Sequence, residues 1–374
     1  MNPTPDFWRG RHIFLTGHTG FKGAWLSLWL QHLGATVSGY ALEPPTQPNL
    51  FTLAQVDSGM DSVIGDIRDL PRLQQALDEA QPEIIFHLAA QPLVRQGYRD
   101  PVETYATNVM GTVHLLEAIR HIASVRAVVI VTSDKCYHNQ EWVWGYRENE
   151  PLGGRDPYSS SKGCAELATA AYRDAFFNAA AYPRHQVAIA SARAGNVIGG
   201  GDWAADRLIP DLLRAFETGQ TPLIRSPQAI RPWQHVLEPL AGYLLLAERL
   251  ATAGPAYAEA WNFGPADDDA RPVQWVIEQL MAAWRQGGRE PAPWQFDRQP
   301  QPHEAQALRL DCAKARTRLD WKPRWPLTAA IARIAAWHLA YLAGVDMRLY
   351  SNQELVAFER ATGEGDQNPP ANRE

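Results

Sequence analysis

Short runs rich in Val, Ile and Ala alternate with helix-spaced stretches through the first half of the chain. The strand-like runs are HIFLTG (12–17), TVSGYAL (36–42), SVIGD (62–66), EIIFHLAA (83–90), RAVVIVTS (126–133) and VAIASARA (187–194). Few of them alternate apolar with polar residues. Such runs are what a parallel sheet requires when helices cover both of its faces. Between them, GAWLSLWLQHLG (23–34) and GTVHLLEAIRHI (111–122) place apolar residues three and four apart, which predicts helices. Together they predict an α/β fold: a Rossmann-like, doubly wound parallel sheet.

After about residue 194 the rhythm loosens. NVIGGGDWAADRLIP is rich in Gly and polar residues, and IPDLLRAFETG and LAGYLLLAERL read as helices. This pattern predicts a first domain over 1–193 and a smaller C-terminal α/β substrate-binding domain over 194–350. The two are expected to interleave through a return segment near 233–263. The tail ATGEGDQNPPANRE (361–374) has almost no apolar content and is predicted to be disordered.

Composition narrows the class of function. At 374 residues, with 45% hydrophobic and 20% charged, the chain suits a soluble protein of about two domains. A net charge of -6 argues against nucleic-acid or anionic-membrane partners. Cys136, Cys164 and Cys312 have neither metal-ligand nor disulfide-framework spacing, so no metal site is expected and a reducing cytosol is the default. The opening MNPTPDFWRGRHIFLTG lacks the pattern of a signal peptide, and no run reaches the roughly 18 apolar residues of a membrane helix. A cytoplasmic location is therefore expected. The 14 tryptophans are spread along the chain and read mainly as packing.

In FLTGHTGFKG, Gly17, Gly20 and Gly23 follow the first strand run and open the first helix. A tight turn there brings backbone N–H groups to a pyrophosphate, and the helix N-terminus adds partial positive charge. At this junction the array predicts a dinucleotide site. It resembles that of the extended short-chain dehydrogenase/reductases, which makes 1–193 the NAD-binding domain. The resemblance implies NAD contacts from Gly17, Thr19, Gly20, Phe21 and Gly23. It also implies Asp66 and Ile67 of GDIRD at the adenine, and Ala89 and Ala90 of HLAAQ at the nicotinamide ribose. His18 stands where many relatives carry a small residue. Glu43 has the spacing of a ribose-binding acid, yet it precedes Pro44 and Pro45 and fits a plain loop equally well. No Arg or Lys in SGYALEPPT would meet a ribose phosphate, which favours NAD over NADP.

Tyr158 and Lys162 in PYSSSKGCAEL lie four apart, on one helical face. A tyrosine of ordinary pKa near 10 is a poor base at neutral pH, and a neighbouring ammonium favours its phenolate. Alone, the spacing is common on solvated helices. After a glycine turn and a fifth strand run it predicts a general base. The family resemblance implies Tyr158 as that base, Lys162 also holding the nicotinamide ribose, and Ser133 bonding the substrate oxygen.

VTSDKCY adds Asp134 and Lys135 directly after Ser133. They read either as an ion pair at a strand end or as machinery for elimination, which needs one group to take a proton and another to protonate the departing hydroxyl. As neighbours on a strand they would point to opposite faces. VTSDKCY, SARAGNVIGGGDWAADRLIPDLLRA and IRPWQHVLEPLAGYL, in that order, resemble the CDP-glucose 4,6-dehydratase family from about residue 7 to 350. The resemblance implies CDP-glucose as substrate, NAD recycled within one turnover, and a place in deoxysugar supply, as for O-antigen lipopolysaccharide. Asp134 is then the acid, and Lys135 the base or the cation that stabilises an enolate. For the substrate, two phosphate charges call for fixed arginines, with Arg207 and Arg231 leading. Asn196 and Gln91 resemble the family's substrate contacts, and Trp203, Trp233 and His235 are candidate pocket walls. Relatives commonly pair through two helices, here 101–122 and 158–178, so a homodimer or dimer of dimers is expected.

Overall fold

The computed structural model describes residues 2–299 and 305–361. The expected disordered tail lies, apart from Ala361, outside the described residues.

Seven strands form one parallel sheet: β1 His12–Thr16, β2 Thr36–Ala41, β3 Asp61–Ile64, β4 Ile84–His87, β5 Ala127–Val131, β6 Ala188–Ala194 and β7 Ala260–Phe263. Their order is β7-β6-β5-β4-β1-β2-β3. The order reverses between β1 and β4, and the carboxyl ends of strands at such a switch point form the ligand crevice of doubly wound sheets.

Alternate residues of each strand enter separate cores. Ile13, Leu15, Phe86, Val129 and Ala190 pack on one face, under the helices Phe21–His32 and Leu237–Ala253. Phe14, Ile85, Val128, Ile130 and Ile189 pack on the other, under Leu70–Ala80 and Gly111–Ala118. Both faces are dry, which is why the strands read as continuous apolar runs. The register places Phe86 beside Val129 and Val129 beside Ala190.

Beyond β6 the chain builds a smaller unit. Helices Leu208–Thr218, Val273–Gln286 and Leu327–Leu342 enclose a third core around Ile209, Leu213, Ile277, Leu280 and Ile334. Between these helices the chain runs back to the sheet through Leu237–Ala253 and β7. The last helix, Met347–Arg360, also returns: Phe358 packs edge-on against Trp29 at 5.6 Å, and Trp29 donates its indole N–H to Glu359 at 2.8 Å.

Two local departures from the sequence reading matter for the site. β5 ends at Val131, and Asp134–Cys136 is a 3-10 turn that Ser133 opens by accepting the Lys135 N–H at 3.2 Å. The strand alternation expected for Asp134 and Lys135 therefore does not apply. The helix expected at 101–122 is interrupted by a π-turn at Ala106–Met110, an irregularity common at functional sites. There Asn108 donates to Gln91 O at 3.1 Å and to Ser161 Oγ at 2.9 Å, joining the π-turn to two segments of the crevice.

Candidate active site

One continuous cavity of about 1420 Å³ runs along the carboxyl ends of the strands. Pockets for one small ligand span roughly 300–1,000 Å³, so this one has room for two.

At one end is the glycine turn. Gly17 takes φ +78°, and a Cβ on it would lie 2.7 Å from Ala89 N. A Cβ on Gly23 would lie 2.1 Å from Gly17 O, so turn and helix touch backbone to backbone. Thr19, Gly20 and Phe21 line the same wall. Thr16 Oγ1 accepts the Leu88 and Ala89 N–H groups, both at 3.2 Å, and donates to His87 Nδ1 at 2.8 Å. Burial pushes His87 down to about 3, which keeps it a neutral acceptor. These bonds fix Ala89 and Ala90 beside the glycines.

Asp66 and Ile67 line the cavity beyond β3, and Arg68 holds the Asp66 carboxyl below its usual range through bonds of 2.9 and 3.0 Å. Glu43 is exposed at the cavity edge in the loop after β2. His18 turns away: it is buried, bonds Ser62 Oγ at 2.7 Å and packs into the space left by Gly39. The cradle a Cβ would fill and the free N–H groups of a helix start fit a dinucleotide pyrophosphate.

Opposite stands the helix Pro157–Ala175. Asp156 caps it by accepting the Ser159 N–H at 2.9 Å, and Pro157 occupies its first position. Tyr158 and Lys162 lie one turn apart and are nearly fully buried. Burial pushes Tyr158 up to about 12, against the pull of a Ser133 hydrogen bond and of Arg207. Burial pushes Lys162 down to about 8, against Glu166 and Cys136. Tyr158 is thus a phenol here. After burial, the groups that act on it most are Ser133, Asp134 and Arg207.

The Asp134 side chain is 1% exposed and that of Lys135 30%, with Nζ 3.9 Å from Oδ1. Asp134 Oδ1 accepts the Ser133 hydroxyl at 3.0 Å, while Oδ2 has no hydrogen-bond partner among the described residues. A Cβ on Gly195 would lie 2.4 Å from Oδ2, so Gly195 leaves room for this carboxylate. The pair contacts loosely, and both residues line the cavity.

On the substrate side, Asn196, Arg207, Arg231, Trp203 and Trp233 line the cavity. Asn196 Oδ1 is buried with no hydrogen-bond partner among the described residues. Arg207 pairs with Asp202 at 2.9 Å, and Trp233 donates to Arg271 O at 3.0 Å. Two expectations need correction. His235 is fully buried outside the cavity, 3.0 Å from Glu354 and edge-on to Trp325, because the two-residue strand Gln234–His235 aims it into the core. Gln91 lines the cavity, but its amide donates to Thr104 Oγ1 at 2.8 Å and accepts the Leu93 N–H at 2.5 Å, so its side chain braces the wall.

Lys22 was not anticipated. It lies in the first helical turn, lines the cavity, and is pushed down to about 7 by burial and by Lys162 and Arg207. A cation at a helix N-terminus opposes the helix dipole, and that contradiction was visible in GFKG.

The GDP-mannose 4,6 dehydratase family matches residues 14–334. The chain is 56% identical over 357 residues to a CDP-glucose 4,6-dehydratase of Salmonella typhimurium, covering 96% of this chain and 98% of that one. It is 27% identical over 348 residues to a dTDP-glucose 4,6-dehydratase of Streptomyces antibioticus, covering 87% and 92%. Among solved structures, a dTDP-glucose 4,6-dehydratase from Bacillus anthracis in complex with NAD superposes with a TM-score of 0.70 at 20% identity, over 91% of this chain and 100% of that one. A UDP-glucose 4-epimerase from Thermotoga maritima with UDP-glucose reaches 0.74 at 19% identity, over 88% and 99%.

Proposed function

The chain belongs to the GDP-mannose 4,6 dehydratase family, and from that premise we propose that it is an NAD-dependent CDP-glucose 4,6-dehydratase, converting CDP-D-glucose to CDP-4-keto-6-deoxy-D-glucose and water. The observation that carries this reading is the placement of Asp134 and Lys135, in one cavity with Ser133, Tyr158 and Lys162. A 4-epimerase needs proton and hydride traffic at carbon 4 alone. A dehydratase also needs groups at carbons 5 and 6.

Bound NAD supplies the hydride acceptor at carbon 4 and the hydride returned to carbon 6, so the cycle is redox-neutral. Gly17, Thr19, Gly20, Phe21 and Gly23 hold the pyrophosphate end, Asp66 and Ile67 the adenine, and Ala89, Ala90 and Lys162 the nicotinamide ribose. Tyr158 acts after giving up its own proton to solvent: its phenolate takes the proton of the carbon 4 hydroxyl, whose oxygen Ser133 bonds. The new ketone acidifies carbon 5. Lys135 acts there, as base or as the cation beside the enolate, and Asp134 protonates the departing carbon 6 hydroxyl. Arg207, Arg231 and Asn196 meet the diphosphate, with Trp203 and Trp233 walling the nucleotide.

The expected dimer has support in exposed apolar residues on its two helices: Val102, Tyr105 and Met110 on one, Leu167 on the other. Light scattering of the purified protein tests it. Free cysteines fit the reducing cytoplasm, where such a product would feed deoxysugar supply for O-antigen lipopolysaccharide.

The direct test incubates the protein with CDP-, UDP-, GDP- and dTDP-glucose and records mass. Loss of one water from CDP-glucose without net NADH is the expected result. An intact carbon 6 hydroxyl in an isomerised product would instead establish an epimerase. Water loss from another nucleotide sugar alone would overturn the CDP assignment.

A further inference from the structure

The helix Pro157–Ala175 carries a third buried polar group on the face of Tyr158 and Lys162. Glu166 follows Lys162 by one turn and is 4% exposed. Its carboxylate accepts hydrogen bonds from the Thr132 hydroxyl, from Ser191 Oγ at 2.6 Å and from Arg193 Nη2 at 2.7 Å. Burial alone would raise its pKa, but Arg193 and these bonds outweigh it and hold the group below the usual carboxylate range.

The partners are informative. Thr132 immediately precedes Ser133. Arg193 Nη1 donates to Tyr137 Oη at 2.8 Å, and Tyr137 immediately follows the Asp134–Cys136 turn. Tyr137 in turn donates to Asn262 Oδ1 at 2.7 Å, on β7. The Glu166–Arg193 pair therefore grips the turn bearing Ser133, Asp134 and Lys135 at both ends, while Glu166 stands on the helix bearing Tyr158 and Lys162. Breaking a buried pair by neutralising one partner is costly, which makes such a brace rigid.

We propose that Glu166 is a positioning residue that holds the Ser133–Lys135 turn in register with the Tyr158–Lys162 helix. This inference rests on the dehydratase reading of the site. The charged and titratable groups facing Lys162 are Glu166 and Tyr158 on its own helix, Cys136 on the turn, His87 on β4 and Lys22 on the Phe21–His32 helix. His87 is neutral and Lys22 repels, so Glu166 is the carboxylate that favours the ammonium.

Three variants separate charge from reach. Glu166→Gln keeps the shape and removes the charge. It should lower kcat at least tenfold with little change in KM, and move the alkaline limb of the kcat/KM profile to lower pH. Glu166→Asp keeps the charge, so the limb should stay in place while kcat falls. Thr132→Val keeps the charge and cuts only the tie next to Ser133, so kcat should fall at least fivefold with the limb unmoved. That variant serves as the test if Glu166→Gln does not fold. Folded Glu166→Gln with a wild-type profile and kcat overturns the inference, and so does wild-type kcat in Thr132→Val. Absence of water loss from CDP-glucose in the wild-type control overturns the functional reading instead.

Discussion

The three glycines of the turn are not equivalent, and alanine substitutions should separate them. A Cβ on Gly23 would lie 2.1 Å from Gly17 O and 2.8 Å from both Gly17 C and His18 Cα. All three are backbone atoms, and Gly17 cannot retreat because its own Cα already faces Ala89 N. Widening the 2.1 Å contact to 3.4 Å opens the turn by about 1.3 Å. Overpacking of this kind costs about 1–3 kcal/mol, and the helix-propensity gain of Ala over Gly returns only about 1 kcal/mol. The same shift draws turn N–H groups off the pyrophosphate, and a lost charge-assisted hydrogen bond of about 1.5–3 kcal/mol weakens NAD roughly 10- to 100-fold. Gly20 is the control: its Cβ would lie 3.4 Å from Gly17 O, an ordinary contact, and its φ of -78° suits any residue. Gly20→Ala should melt within about 1 °C of wild type when NAD-stripped. Gly23→Ala should melt several degrees lower. Differential scanning fluorimetry and calorimetric NAD titration read both quantities. Gly23→Ala with wild-type melting and NAD affinity within twofold would refute the steric argument.

Lys135→Met should still oxidise carbon 4, seen as transient NADH absorbance, but stop exchanging the carbon 5 proton with deuterated water. Unchanged exchange removes Lys135 from the chemistry. The Lys162 ammonium, at about 8, is complete well below that pH and lost as pH rises through it. The kcat/KM of the enzyme should therefore decline above pH 8, and a flat profile to pH 9 contradicts a role for its charge. His235→Ala removes a packed core side chain and should cost about 2–4 kcal/mol in denaturant unfolding while leaving KM unchanged. A raised KM with unchanged stability would return His235 to the substrate site.

Most of the sheet was legible because both of its faces are dry. Every residue of β5 is buried, so its apolar run announced a parallel strand without ambiguity. The glycine turn and the Tyr158–Lys162 helix were legible because their chemistry depends on spacing along one element. Failures arose where tertiary packing decides a side chain's direction. His235 and Trp233 lie two apart, yet one is buried against Trp325 and Glu354 while the other lines the cavity. Gln91 looked like a ligand group, but its Thr104 and Leu93 partners come from the following helical segments, whose placement no local pattern states. The 3-10 turn at Asp134 escaped because TSDKC continues a strand run without a Gly or Pro to end it.

The charge distribution explains why that turn matters. The chain carries a net -6, yet Lys22, Lys135, Lys162, Arg207 and Arg231 all line one cavity. Burying cations is unfavourable: burial depresses both Lys22 and Lys162, and Lys162 and Arg207 depress Lys22 further. Asp202 relieves Arg207 directly, but Asp134 relieves Lys135 only at 3.9 Å and leaves its own Oδ2 without a hydrogen-bond partner among the described residues. A surface ion pair has no reason to keep a carboxylate buried and loosely contacted. A site for two diphosphate ligands has a reason to gather cations, and an elimination has a reason to hold an acid and a cation close but not locked together. Both demands fall on the same few residues, and all of them line one cavity.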